Sequence, residues 1–276
     1  MRSSHRLCSL RRISAFLSIR YVLSDVCTLT IAWRVFEDAP VLVAANRDEA
    51  TDRPSTSPGY YRSEPPIIAP RDEEAGGTWI GYNAAGVFVG ITNRWVDRPS
   101  GRSRGALVAD CLAQDSAATA VEFVDRSVQT ETYAGFNLVV ADAETATLLE
   151  YDGTLSTRSL DPGVHVVVNV GADGAFFEPT DRPAVGRQQG KNAETLQSAL
   201  QPHAGESADE WLERAGTALG DHDYGVCIHG DGFGTRSASL IRLGVPDVGL
   251  NDRYLFADGP PCETQFVEVA ASIDST

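Results

Sequence analysis

Strand-like runs in this chain fall into three blocks, and two pairs of helical segments separate them. The first block holds β-rich runs at 28–36 and 40–45, joined at Glu37-Asp38-Ala39 as a hairpin. It continues with 77–82 and 86–93 around the turn Asn83-Ala84-Ala85-Gly86, where glycine supplies a positive φ. Helical apolar spacing follows over 105–114 and 116–128, and strands over 136–141, 147–151 and 164–170. A second helical pair covers 183–200 and 207–219, the latter opened by a Ser207/Glu210 capping box. Strands at 224–229, 237–243, 253–257 and 265–269 close the chain, and residues 50–76, rich in proline, glycine and acid, are expected to form a long surface loop. Single helices never alternate with strands, which argues against a doubly wound parallel sheet. Two antiparallel sheets packed face to face, each covered outside by helices, would bury these segments. The expected fold is therefore α+β, a four-layer αββα sandwich, in one domain over 27–276.

Composition narrows the function. With 23 basic and 38 acidic residues the net charge is −15, and Lys191 is the sole lysine. Abundant acid with almost no lysine suits a salt-adapted, halophilic cytoplasm, where carboxylates hold water and repel one another. The acid is spread along the chain as a solvated surface, and a basic patch for nucleic acid is missing. No run approaches the roughly 18 apolar residues of a membrane helix, so a cytoplasmic protein with no membrane span is expected. Five cysteines, Cys8, Cys27, Cys111, Cys227 and Cys262, are odd in number and widely spaced, without a CxxC. Free thiols fit this pattern better than a disulfide framework or a zinc ribbon.

Residues 1–26 differ in character from the rest of the chain. They carry five arginines against Asp25, a net +4 that leaves −19 for residues 27–276. One reading is a misassigned start, with Val26 the trace of a GUG initiator. A second is a pro-segment removed ahead of Cys27, and a third is an export signal around Arg11-Arg12, whose apolar run is short and broken by Arg20 and Asp25.

The chemistry concentrates in 26–49. Cys27 heads the first strand, and the second delivers Asn46-Arg47-Asp48-Glu49. A cysteine at a chain start has its own α-amino group as base, titrating near about 7.7–8.0. A nearby arginine favours thiolate over the free thiol, whose pKa is about 8.5, and an aspartate can orient the amine. On spacing alone the alternative stands that Cys27 is a buried strand cysteine and Arg47–Asp48 a surface ion pair. Asn46 is expected to end the strand, Glu49 to pair with Arg47 or Arg53, and Trp79 to be core or pocket wall, with Gly76, Gly77 and Gly81 able to bring backbone close to a ligand. Cys227 and His229 share a strand face, but no third ligand is evident and no metal or cofactor is expected; packing is the favoured role.

The blocks CTLTIAW, VLVAANRDE, GGTWIGYNAAGVFVGITN, GFNLVVAD and GFGTRSAS, in that order, resemble the NRDE protein family, known as transport and Golgi organisation protein 2. The likeness runs from Cys27 almost to the end. Members of that family start Met-Cys, which favours Val26 as initiator. The family looks like a branch of the N-terminal-nucleophile (Ntn) hydrolases, whose fold is the αββα sandwich. A more distant likeness, to cysteine amidases that cleave conjugated bile salts and penicillin V, implies Cys27 as nucleophile, with Arg47 and Asp48 beside it. It implies Asn93, ending GVFVGITN, at the oxyanion site, Asn169 in HVVVNVG as a second asparagine, and Arg236 in GTRS as a late active-site arginine. A strand-end asparagine capping a turn is the competing role for Asn93 and Asn169. The eukaryotic pattern Gly-Leu-Ser-Asn is replaced here by Val167-Val168-Asn169, which keeps the asparagine and changes its neighbours. The implied activity is amide or thioester hydrolysis or acyl transfer on a small acyl-amide or acyl-thioester ligand. The alternative implied by the same likeness is a non-catalytic carrier of lipid, acyl-CoA or haem.

Overall fold

The computed structural model describes residues 27–245 and 251–273; the 1–26 extension, with Cys8, lies outside them. The chain opens with a hairpin of β1 (Thr28–Phe36) and β2 (Ala39–Ala50), then β3 (Ser55–Ser63), β4 (Pro66–Asp72), β5 (Ile80–Asn83) and β6 (Phe88–Asn93). Helices α1 (Arg104–Cys111) and α2 (Ala117–Thr130) lead to β7 (Phe136–Ala141), β8 (Ala146–Tyr151), β9 (Leu155–Ser159), β10 (Gly163–Val168), β11 (Gly171–Ala172) and β12 (Ala175–Phe176). After α3 (Pro183–Ala199) and α4 (Ala208–Gly220) come β13 (Phe233–Leu243), β14 (Arg253–Ala257) and β15 (Val267–Glu268). The strands form two sheets, ordered β12-β11-β10-β1-β2-β13-β14-β15 and β3-β4-β5-β6-β7-β8-β9, with every pairing antiparallel.

Strand β2 explains the layering. Its VLVAA run lacks polar alternation because both faces are covered. Val41, Val43 and Ala45 point between the sheets, where they meet Ile31, Ile80, Phe88, Val139 and Ile241. Leu42 and Ala44 point outward, against Leu196, Trp211, Leu212 and Leu219 of α3 and α4. On the far side Leu107, Val108, Ala120 and Val124 of α1 and α2 cover Phe136, Leu138, Val140 and Leu149. Three cores between four layers give the αββα sandwich. Each fully buried Leu, Ile or Phe contributes roughly 1.5–3 kcal/mol over its exposed state. The expected Ser207/Glu210 capping box opens α4, and Ser116 with Thr119 forms a second at the start of α2.

Three expectations need correction. Residues 50–76 contain a hairpin, β3 with β4, and Ile67 and Ile68 are fully buried. Its prolines obscured it: Pro58 and Pro70 both fall in the register slip between the pairs Thr56↔Arg71 and Gly59↔Ala69. Proline is tolerated there because no ladder hydrogen bond is required of it. Residues 224–229 form no strand; the helical turn His222–Tyr224 ends at Gly225 with φ 62°, followed by the single bridge His229↔Gly234. Asn46 does not end its strand, since β2 runs on to Ala50; and β9, which is mostly polar, answers to no expected element.

One half-buried ion pair gives the fold a pH signature. His165 on β10 places Nδ1 2.8 Å from Asp173 Oδ2 and Nε2 2.8 Å from the Asp161 carbonyl oxygen. Both partners are acceptors, an arrangement that favours the doubly protonated ring. Burial works to lower the His165 pKa, but Asp173 and the Asp161 carbonyl outweigh it and raise it above the ordinary value. A raised folded pKa means stability fully present below the unfolded value of about 6.5 and lost as pH rises through the folded one. Urea midpoints of the native chain and His165→Gln should therefore differ more near pH 5.5 than near pH 9; equal differences would remove the imidazolium from the account.

Candidate functional site

The pairing Thr28↔Asn46 between β1 and β2 carries Cys27, one residue upstream, alongside Arg47. The Cys27 backbone N–H donates to Asn169 Oδ1 at 2.9 Å, and its Sγ lies 3.8 Å from the Asp48 carbonyl oxygen. The period of two along β2 then sorts the tetrad. Arg47 and Glu49 continue the inner face of Val43 and Ala45, whereas Asn46 and Asp48 face the α3–α4 layer. Asn46 Nδ2 donates to the carbonyl oxygens of Leu219 and Val226, so Asn46 ties the end of α4 to the sheet. Buried Asp48 accepts a short hydrogen bond from the Thr235 hydroxyl on β13.

Arg47 is 8% exposed, with its guanidinium carbon 4.3 Å from the centre of the Trp79 ring. Burial lowers its pKa, opposed by Glu49, Cys27 and Asp72. Glu49 lies 3.6 Å from Arg47 and 3.7 Å from Arg53, and Arg53 pairs with Asp72 at 2.8 Å. Burial alone would raise the Asp72 carboxyl, but the Ala75 N–H, Arg53 and the Glu74 N–H hold it below the usual carboxylate range. The chain Arg47–Glu49–Arg53–Asp72 anchors the guanidinium beside Cys27. Arg47 Nη1 is buried without a hydrogen-bond partner, a donor available to an arriving oxygen.

These groups wall a cavity of about 410 Å³ between the two sheets at their open end. Cys27, Arg47, Asp48 and Asn93 all line it, as do Trp79 and Arg104. Asn169 sits behind Cys27, fully buried. Its Oδ1 also accepts from Gln189 Nε2 on α3 at 2.8 Å, and its Nδ2 donates to the Asn93 carbonyl oxygen at 2.8 Å. It thereby joins the start of β1, the end of β6 and α3 at one point. Arg236 is not among the residues lining the cavity; it occupies the bulge of β13 between Thr235 and Ser237.

Two supporting residues are not apparent from the sequence. Thr235 stands beside the more conspicuous arginine of GTRS, and Gln189 carries no motif at all. Gly77 lines the cavity, and its missing Cβ also admits Gly105 at the start of α1: an added Cβ would stand 2.4 Å from the Gly105 carbonyl carbon. Cys111 is fully buried, and desolvation pushes its thiol pKa up, leaving it a core residue.

A family model described as Transport and Golgi organisation 2 matches residues 26–243. The chain belongs to this family. Its relatives include the Transport and Golgi organization protein 2 homolog of Bos taurus, 27% identical over 248 residues, covering 80% of this chain and 88% of the relative. The Homo sapiens homolog is 26% identical over 237 residues, covering 74% and 82%. Among solved structures, an N-acylethanolamine-hydrolyzing acid amidase ortholog from Caenorhabditis elegans superposes with a TM-score of 0.54 at 13% identity, covering 87% of this chain and 100% of the other. Penicillin V acylase from Agrobacterium tumefaciens gives 0.52 at 14%, covering 88% and 86%. A mutant conjugated bile acid hydrolase from Clostridium perfringens gives 0.53 at 11%, covering 91% and 93%. The chain thus shares the Ntn-hydrolase fold of these structures, and among its described residues no helix is long and apolar enough to cross a membrane.

Proposed function

We propose that this protein is an N-terminal-nucleophile cysteine hydrolase or acyl-transfer enzyme acting on an amide or thioester through Cys27, with the peptide upstream of that residue absent from the active form. The observation that carries the proposal is the posture of Cys27. Its backbone nitrogen is held by Asn169 while its sulfur borders a cavity walled by Arg47. The likeness in fold to three amide-cleaving enzymes supports it.

Once liberated, the α-amine takes the thiol proton and Sγ attacks the acyl carbon. The developing oxyanion needs preorganised donors, each worth about 10²–10³ in rate. The unpartnered Arg47 Nη1 and the Asn93 side chain are the candidates for that place. Collapse breaks the C–N or C–S bond as the ammonium returns its proton to the leaving group. The acyl group stays on Cys27 until water, deprotonated by the same amine, releases it as a carboxylic acid.

A chain beginning at residue 27 should cleave at least one member of a panel of N-acyl amides and acyl thioesters, and mass spectrometry of quenched reactions should find the acyl group on Cys27. The chain carrying residues 1–26 uncleaved should be inactive. Equal activity of the two forms, or retention of an acyl-CoA through gel filtration without turnover by either, would overturn the proposal.

A further inference from the structure

Away from the cavity, the segment after α4 brings together side chains that sequence separation hides. Among the described residues, His222, Cys227, His229 and Cys262 each place one donor atom so that all lie within 4.8 Å of one another. Cys262 Sγ is 3.1 Å from His229 Nε2 and 3.5 Å from Cys227 Sγ, and Cys227 Sγ is 3.7 Å from His229 Nε2. The rings of His222 and His229 meet edge to face with centroids 5.2 Å apart. A tetrahedral zinc ion, with Zn–S about 2.3 Å and Zn–N about 2.0–2.1 Å, has edges of roughly 3.8 Å between sulfurs and 3.5 Å between sulfur and nitrogen. The three edges among Cys227, His229 and Cys262 lie within about half an ångström of these, and His222 brings its donor atom within 4.8 Å of all three.

We propose that His222, Cys227, His229 and Cys262 form a structural site for a borderline-soft divalent cation of the zinc class. Two thiolates and two imidazoles select such an ion over magnesium or calcium, which take oxygen. Four protein ligands leave no open position, so the site is structural and not catalytic. The backbone is already set for it. The His222–Tyr224 turn is capped by Asp221 and closed by Gly225, whose carbonyl accepts from Asn192 Nδ2 at 3.1 Å. Asn46 Nδ2 holds the Val226 carbonyl at 2.8 Å, one residue before Cys227. The turn bearing Cys262 is fixed by hydrogen bonds from the Glu263 and Thr264 N–H groups to the Pro260 carbonyl, at 3.0 and 2.9 Å. Three segments outside the main sheet ladders converge here, and a shared ion would lock them together.

That lock would reach the cavity. Ile228, between Cys227 and His229, exchanges two hydrogen bonds with Thr235: its N–H donates to Thr235 Oγ1, and its carbonyl accepts from the Thr235 N–H, both at 2.9 Å. The same Thr235 hydroxyl donates to Asp48. The ion would thus stabilise the strand end that carries Asp48.

The test uses the full chain, without an affinity tag and reduced with a phosphine. Elemental analysis should find about one zinc per chain, and cobalt(II) added to chelator-stripped protein should give the visible bands of a tetrahedral ion with a thiolate charge-transfer band. Competition against a chromophoric chelator should show zinc affinity falling on the order of a hundred-fold or more in Cys262→Ser, and at least about ten-fold in the surface variant His222→Ala. Cys27→Ser should bind zinc as the native chain does. Zinc affinity within about two-fold of native in both ligand variants would overturn the site. So would a Cys227–Cys262 disulfide that persists while zinc is refused after its reduction. None of these readouts depends on hydrolase activity.

Discussion

Replacing Cys27 by alanine, in a chain that begins there, is expected to lower turnover on the order of 10⁴-fold or more and to shift stability by less than about 1 kcal/mol. The two halves of this expectation have separate causes. Cys27 precedes β1 and is only half-buried, so losing its sulfur opens no core cavity. Its backbone N–H to Asn169 survives the substitution. The chemistry has no substitute, because Cys111 is sealed in the core and Cys227 and Cys262 stand in a different cluster. Cys27→Ser should fall between, since the hydroxyl keeps the geometry but is a weaker nucleophile at neutral pH. Progress curves on whichever acyl-amide the native chain cleaves, with urea melts of the same samples, separate the effects. Alanine retaining more than about a tenth of native turnover would remove the sulfur from the mechanism.

Legibility in the sequence tracks the physics of each signal. Strand and helix blocks were readable because apolar periodicity survives wherever an element covers a core, as in VLVAA of β2 or the apolar face of α2. Strands β3 and β9 were not, because an edge strand facing solvent needs no apolar pattern, and prolines at a register slip mimic a loop. The site divides the same way. Cys27, Arg47, Asp48 and Asn93 lie in recognisable blocks at strand ends and meet at one cavity. Within GTRS the arginine was the conspicuous residue, yet the bulge at Arg236 leaves Thr235 opposite Asp48, and a bulge cannot be counted from composition. Of the His222–Cys262 cluster only the pair Cys227 and His229 was visible in sequence, because the members come from a helical turn, an isolated bridge and a distant loop. No local spacing records that convergence.

Asn169 gives the other large expected effect, and two substitutions divide its roles. Its fully buried amide accepts from the Cys27 and Gln189 nitrogens and donates to the Asn93 carbonyl. In Asn169→Ala all three groups lose a partner, the buried Gln189 amide at about 1–3 kcal/mol and the half-buried Cys27 and Asn93 groups, which water can reach from the cavity, at less. A net loss of roughly 2–3 kcal/mol is expected, large for a single substitution. Asn169→Asp keeps the acceptor toward Cys27 and places a carboxylate beside the α-amine. An adjacent negative charge favours the ammonium form, raising the amine pKa above its ordinary value of about 7.7–8.0. Only the neutral amine can take the thiol proton, so the rising limb of kcat/KM against pH should move to higher pH, with activity recovering as pH increases. A carboxylate that only weakened the scaffold would lower activity equally at every pH. An unmoved profile in a folded Asn169→Asp chain would therefore show that the Cys27 amine is not the base, even if Cys27 itself remained essential.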